Sequence, residues 1–206
     1  LKPAGDGEVL SLLERGEADF AIVSTAGHAP QGGLAVPLFR WERVVLVPRG
    51  HELSRLQRAP TLDELAEYPL VSYESSLKPD SSLRRAFLAT GKLPRIALTA
   101  RDADLIKTYV RAGLGVGVLA EMALTAQDTE DLRVLPAQGL FATCTAWVVL
   151  RRDRVLRDYA FELLQELAPQ IDRRDLRRVL EGSATPDWPQ APTWQELSRP
   201  AAAGRH

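Results

Sequence analysis

The apolar positions change period several times along the chain, and each change marks an element. In GDGEVLSLLERGEADFAIV (5–23), Val9, Leu12 and Leu13 recur at helical spacing, Asp6 is a candidate N-cap, and Gly16 stands where a helix stops. ADFAIV (18–23) is a continuous apolar run of the buried-strand type, and the polar, glycine-rich STAGHAPQGG (24–33) predicts a loop. LAVPLF (34–39) and RVVLVP (43–48) predict extended segments, and TLDELA (61–66) predicts a helix with Thr61 and Glu64 as a capping box. The pattern then alternates: strand YPLVSY (68–73), helix SSLRRAFLAT (81–90), strand RIALTA (95–100), helix DADLIKTYVRA (102–112), strand VGVLA (116–120). A β-α-β-α-β order argues for a parallel sheet with helices on its faces. DLRVLP (131–136) and TAWVVL (145–150) predict further strands. VLRDYAFELLQEL (155–167) predicts a helix burying Leu156, Ala160, Leu163, Leu164 and Leu167, and IDRRDLRRVLEG (171–182) predicts another. Beyond Ser183 no period survives, which predicts a mobile tail over 182–206.

The glycines of RAGLGVGVL (111–119) invite a phosphate-loop reading, and their order argues against it. A dinucleotide fingerprint runs strand, glycines, helix, so that phosphate meets a helix N-terminus. Here the glycines follow a helix, whose C-terminal end repels phosphate. Gly113 fits the left-handed residue past a helix end, and Gly115 and Gly117 fit close backbone packing.

Ligands in open α/β sheets bind at the carboxyl ends of strands. Three such ends are candidates: Ser24 and Thr25, the loop Glu74 to Lys78 with Ser75 and Ser76, and Arg101 with Asp102. Hydroxyls and cations there suit a small polar or anionic ligand, although ordinary caps and turns use the same residue types.

Composition narrows the field. The chain has 206 residues and a net charge of −1, so no global field favours nucleic acid or an anionic membrane. One cysteine, Cys144, excludes an intrachain disulfide and fits a reducing compartment. No apolar run reaches the ~20 residues of a membrane span. His28, His51 and His206 have no metal-ligand spacing, and no GxSxG elbow is present, so the expectation is no metal, no cofactor and no enzyme. Asp102 and Asp104 suit a helix start without chemistry. The arginine clusters around 151–157 and 173–178 are interleaved with Asp153, Asp158, Asp172 and Asp175, the pattern of a solvated or subunit-contacting face rather than a DNA face.

GEADFAIVST, WERVVLVPRGHEL, TLDELAEYPLVSY and TARDADLIKTYVRAGLGVGVLAEMAL together resemble the effector-binding domain of the LysR-type transcriptional regulators. DADLIKTYVRAGLGVGV is closest to the CysB-like group, regulators of cysteine biosynthesis and sulfur assimilation. The resemblance covers about residues 1–181. It implies an α/β fold like a type II periplasmic binding protein, two subdomains joined by two crossover strands with the ligand between them. Subdomain I would be 1–40 plus 144–181 and subdomain II 41–143. It implies homotetramers in the cytoplasm, DNA contacted only through an N-terminal winged helix-turn-helix not included in this chain, and no membrane. The first strand and helix of subdomain I would also lie before Leu1.

The implied effector is a small anion or amino-acid derivative, sulfate-like or acetylserine-like. The implied contacts are Ser24, Thr25, Ser75, Ser76, Lys78, Arg101 and Asp102. Ser24 stands at a pocket threonine of the group and keeps its hydroxyl. Lys78 and Arg101 replace threonines by cations, which shifts the expected effector. Trp41 matches a crossover tryptophan, a hinge or packing residue rather than a ligand contact. A transport-type solute-binding protein of the same fold is the alternative.

Overall fold

The computed structural model describes residues 5–152 and 156–198. In chain order its elements are α1 (Asp6–Glu14), β1 (Phe20–Ala26), β2 (Leu34–Trp41), β3 (Arg43–Pro48), α2 (Leu62–Ala66), β4 (Leu70–Tyr73), α3 (Ser82–Ala89), β5 (Ile96–Ala100), α4 (Ala103–Arg111), β6 (Val116–Ala120), α5 (Asp128–Asp131), β7 (Leu132–Pro136), β8 (Cys144–Leu150), α6 (Asp158–Leu167), α7 (Arg173–Leu180) and α8 (Trp194–Ser198). The chain divides into two compact units, residues up to Arg40 with those from Cys144 onward, and Trp41–Thr143.

The first unit is built on a sheet of order β1-β8-β2. β1 and β8 pair antiparallel from Phe20↔Leu150 to Ala26↔Cys144. The central strand β8 is apolar on both sides because both sides are covered. On one face Ala21, Val23 and Val149 meet Leu13 of α1. On the other, Phe20, Val148 and Leu150 border the same small space as Ala160 and Leu164 of α6. Two helix expectations change here. Gly5, with extended backbone (φ −70°, ψ 153°), takes the N-cap position of α1, and Asp6 is the first helical residue. In α6, Leu163 is exposed at the edge of the apolar stripe, and Phe161 is buried instead. Its ring lies under the guanidinium groups of Arg173 and Arg177 of α7, at 5.0 and 5.4 Å. Residue 155, the expected start of that helix, lies outside the described residues.

The tail expectation is overturned as far as Ser198. Trp188 Nε1 donates to the Ala35 carbonyl at 2.8 Å, and Arg40 N donates to the Pro192 carbonyl at 2.7 Å. Arg40 Nε donates to the Ala191 carbonyl at 2.9 Å, and Thr193 bridges to Arg40 in parallel. The rings of Phe39 and Trp194 lie 5.4 Å apart. An extended segment has no helical period to read, yet it can satisfy the free backbone groups of the edge strand β2. One sequence signal was present: Thr193 and Glu196 form a reciprocal cap at the start of α8.

The second unit has a five-stranded sheet of order β5-β4-β6-β3-β7. β4 runs parallel to β5 and β6, as the alternating pattern requires, and β3 pairs antiparallel with β6 and β7. After Arg43 the run VVLVP is apolar because successive residues serve opposite faces. Val45 and Val47 join Leu70, Val116 and Val118 against Leu83 and Phe87 of α3. Leu46 joins Val71 and Leu119 against Ile106 and Val110 of α4.

The three glycines do what their order predicts. Gly113 has φ +72°, with its N–H on the Val110 carbonyl and that of Leu114 on the Tyr109 carbonyl, a complete Schellman stop of α4. A Cβ on Gly115 would lie 2.5 Å from the Pro69 carbonyl oxygen, and one on Gly117 2.7 Å from Val110 Cγ2.

Candidate functional site

Each unit holds part of the predicted set. In the first, Ser24 and Thr25 end β1, both half-buried. The Thr25 hydroxyl donates to the His28 carbonyl and accepts from Trp147 Nε1 at 2.9 Å. Its only proton is therefore used to hold the turn that leaves β1.

In the second unit β4 and β5 are parallel neighbours, so their carboxyl ends bring two predicted loops together. Glu74 and Arg101 join these loops at 3.6 Å, an exposed pair of little energetic weight. Asp102 caps α4, with Oδ1 accepting from Leu105 N at 2.8 Å. Ser76 is fully buried with its Oγ 2.8 Å from Ser72 Oγ, and Ser72 Oγ donates to the Val118 carbonyl. A hydroxyl has one proton, so Ser76 must donate to Ser72, and it staples the turn to β4. Ser75 and Lys78 remain: among the described residues nothing pairs with the Ser75 hydroxyl or the Lys78 ammonium.

Sequence reasoning missed Arg43. It is the first residue of β3 and 6% exposed, with Nε donating to Ser82 Oγ at 2.8 Å and its guanidinium 5.9 Å from the Trp41 ring. Ser82 begins α3, directly after the loop that carries Ser75 and Lys78. The neighbouring Tyr73 hydroxyl accepts from Ala120 N at 3.2 Å. Burial pushes this phenol above its usual range, and the Arg43 charge offsets part of that rise. Nothing in the alternation of RWERVVLVP separates a buried arginine from a solvated one. Only the fold, which sets β3 between β6 and β7, encloses it.

A second charged cluster is structural. Lys107 and Asp128, both buried, pair at 3.0 Å, and Arg111 reaches Asp128 at 2.9 Å and Asp131 at 2.7 Å. Burial works against the Asp128 charge, yet hydrogen bonds from Thr125, Arg111 and Lys107 hold its carboxyl well below the usual range. For Lys107 burial is likewise outweighed, by Asp104 and Asp128, and its ammonium is held above its ordinary value. Together they clamp α4 to the turn before α5. Among the described residues no three His, Cys, Asp or Glu side chains form a metal-binding group.

Residues 1–172 match the LysR substrate binding domain. The chain belongs to that family. This LysR substrate-binding domain is 36% identical over 178 residues to the HTH-type transcriptional regulator CysB of Burkholderia cenocepacia, covering 86% of the chain and 56% of that relative. It is 36% identical over 180 residues to SsuR of the same organism, covering 87% and 58%. It is also 36% identical over 177 residues to Cbl of Escherichia coli, covering 85% and 56%. The chain thus spans little more than half the length of these transcriptional regulators. The crystal structure of the cofactor-binding domain of Cbl superposes with a TM-score of 0.76 at 34% identity, covering 86% of this chain and 77% of that one. The effector-binding domain of QuiR in complex with shikimate, at 15% identity and a TM-score of 0.63 over 80% of this chain and 76% of that one, shares the fold. The architecture is that of LysR effector-binding domains, the type II periplasmic-binding-protein fold. No helix among the described residues is long and apolar enough to cross a membrane.

Proposed function

We propose that this domain is the effector sensor of a CysB-like transcription regulator of sulfur and cysteine metabolism genes, and that its effector is a small anion or amino-acid derivative such as sulfate or an acetylserine. The observation that carries the anion is Arg43, a buried guanidinium hydrogen-bonded to Ser82 beside the Ser75–Lys78 loop. A guanidinium offers planar, paired donors that match carboxylate and sulfate oxygens. Ser75, Lys78 and Arg101 add donors at the exposed end, Ser76 and Asp102 hold the loops in shape, and Ser24 and Thr25 are the first unit's own candidates. DNA would be contacted by the helix-turn-helix part that the relatives' names carry, in a cytoplasmic dimer or tetramer. The solute-binding alternative has less support, because the curated relatives quoted above are all named as HTH-type regulators.

Calorimetric titration with sulfate, O-acetylserine and N-acetylserine tests the reading. At least one should bind, and Arg43→Gln should weaken that binding roughly 10- to 100-fold, as expected for a lost charge-assisted pair. Asp102→Asn, which keeps a capping oxygen, should leave affinity nearly unchanged. Binding that survives Arg43→Gln and Lys78→Ala undiminished would remove the anion assignment.

A further inference from the structure

A groove of about 520 Å³ lies wholly within the first unit, on the face of the sheet that carries Thr145 and Trp147. One wall is β2 with Ala35 and Pro37, and the opposite wall is the docked C-terminal segment with Pro186, Trp188 and Pro189. Its volume is in the range of small-molecule sites, although one side stays open to solvent.

The chemistry of its lining selects a ligand class. The single N–H of Trp147 is given to Thr25 and that of Trp188 to the Ala35 carbonyl. Both indoles therefore have only ring surface left to offer. The prolines add apolar surface. Among the described residues the charged lining groups are Arg40 and Arg152, and no carboxylate borders the groove. Arg40 is fixed beside the segment through Nε to the Ala191 carbonyl. Apolar aromatic walls with cations and no acid suit an anion that carries a flat apolar body.

We propose that this groove is a second ligand site, for a small aromatic carboxylate or sulfonate, distinct from the Arg43 site and completed by the C-terminal segment. The segment is a wall of the site and lies beyond the residues that match the family model, which end at 172. Through the Thr25–Trp147 hydrogen bond, occupancy of the site touches the turn that leaves β1.

The 206-residue chain, titrated with naphthalene-2-carboxylate by calorimetry and by the indole N–H signals of Trp147 and Trp188, tests this. Saturable binding that moves both signals is expected. The neutral naphthalene-2-carboxamide should bind roughly tenfold more weakly, since it lacks the charge the arginines recognise. Arg152→Gln, at an exposed position, should weaken the acid about three- to tenfold by the same argument. Removal of residues 184–206 should abolish the effect, and Arg43→Gln should leave it intact. Equal binding of acid and amide, no saturation at millimolar probe, or loss with Arg43→Gln but not with Arg152→Gln would each overturn the second site. Those outcomes leave the effector reading standing on its own titration.

Discussion

Asp128 decides more than its position at the start of the one-turn helix α5 suggests. It is buried and accepts from Lys107, Arg111 and the Thr125 backbone and hydroxyl. Asp128→Asn takes away the buried counter-charge of Lys107 and leaves it only the exposed Asp104 at 2.9 Å, and breaking such a buried pair costs about 3–5 kcal/mol. Urea unfolding at pH 7 should show a loss of that order. The carboxyl is held below its unfolded value of about 3.9, so its contribution is complete above that pH and fades as pH falls through the folded value. The difference between wild type and Asp128→Asn should therefore narrow when unfolding is repeated near pH 3. Lys107 is held above its unfolded value, so its share is intact at both pH values and is lost only in alkali. Residue-scale geometry also ranks the glycines. Gly113→Ala should cost about 1–2 kcal/mol for the left-handed backbone alone. Gly115→Ala should cost more, because its Cβ meets the Pro69 carbonyl oxygen, which belongs to backbone and cannot rotate away.

At the scale of elements, sequence and structure agree where local chemistry is strong. The Thr61–Glu64 capping box, the Gly113 stop, and the two-faced apolar strands β3 and β6 were legible because each is fixed by neighbours within a few residues or by a period. The C-terminal segment was not legible because its order comes from β2, about 150 residues away in sequence. Arg43 was hidden for the same reason, since a single residue's burial depends on strands that arrive from elsewhere. Of the predicted contact residues, the loops were legible as ends of parallel strands. The use of the Thr25, Ser76 and Asp102 groups in local hydrogen bonds was not, because it depends on side-chain geometry. The docking of the segment is open to measurement. Trp188→Ala removes the Ala35 hydrogen bond and half-buried ring surface, and should lower stability by about 1–3 kcal/mol. Amide exchange at Arg40 should accelerate in that variant, and unchanged exchange there would show that the segment does not protect β2.

At the scale of the molecule, the two units differ in how the chain builds them. The second is one continuous stretch, Trp41–Thr143, with apolar cores on both faces of its sheet. The first is discontinuous, and the strand between β1 and β2 is β8. During synthesis β1 and β2 emerge before β8 and have no partner in each other. Their shared partner starts about a hundred residues later, on the order of 5–20 s at usual elongation rates. Through that interval the apolar strands ADFAIV and LAVPLF are open edges, while the following stretch can already fold. A ribosome-bound chain stalled with Thr143 just clear of the exit tunnel should therefore be cut by protease within residues 20–40 and resist within 43–136. The placement of one late strand thus makes β1 and β2 wait longer for their partner than any strand of the second unit, and leaves them in the care of the cell's chaperones until β8 is made.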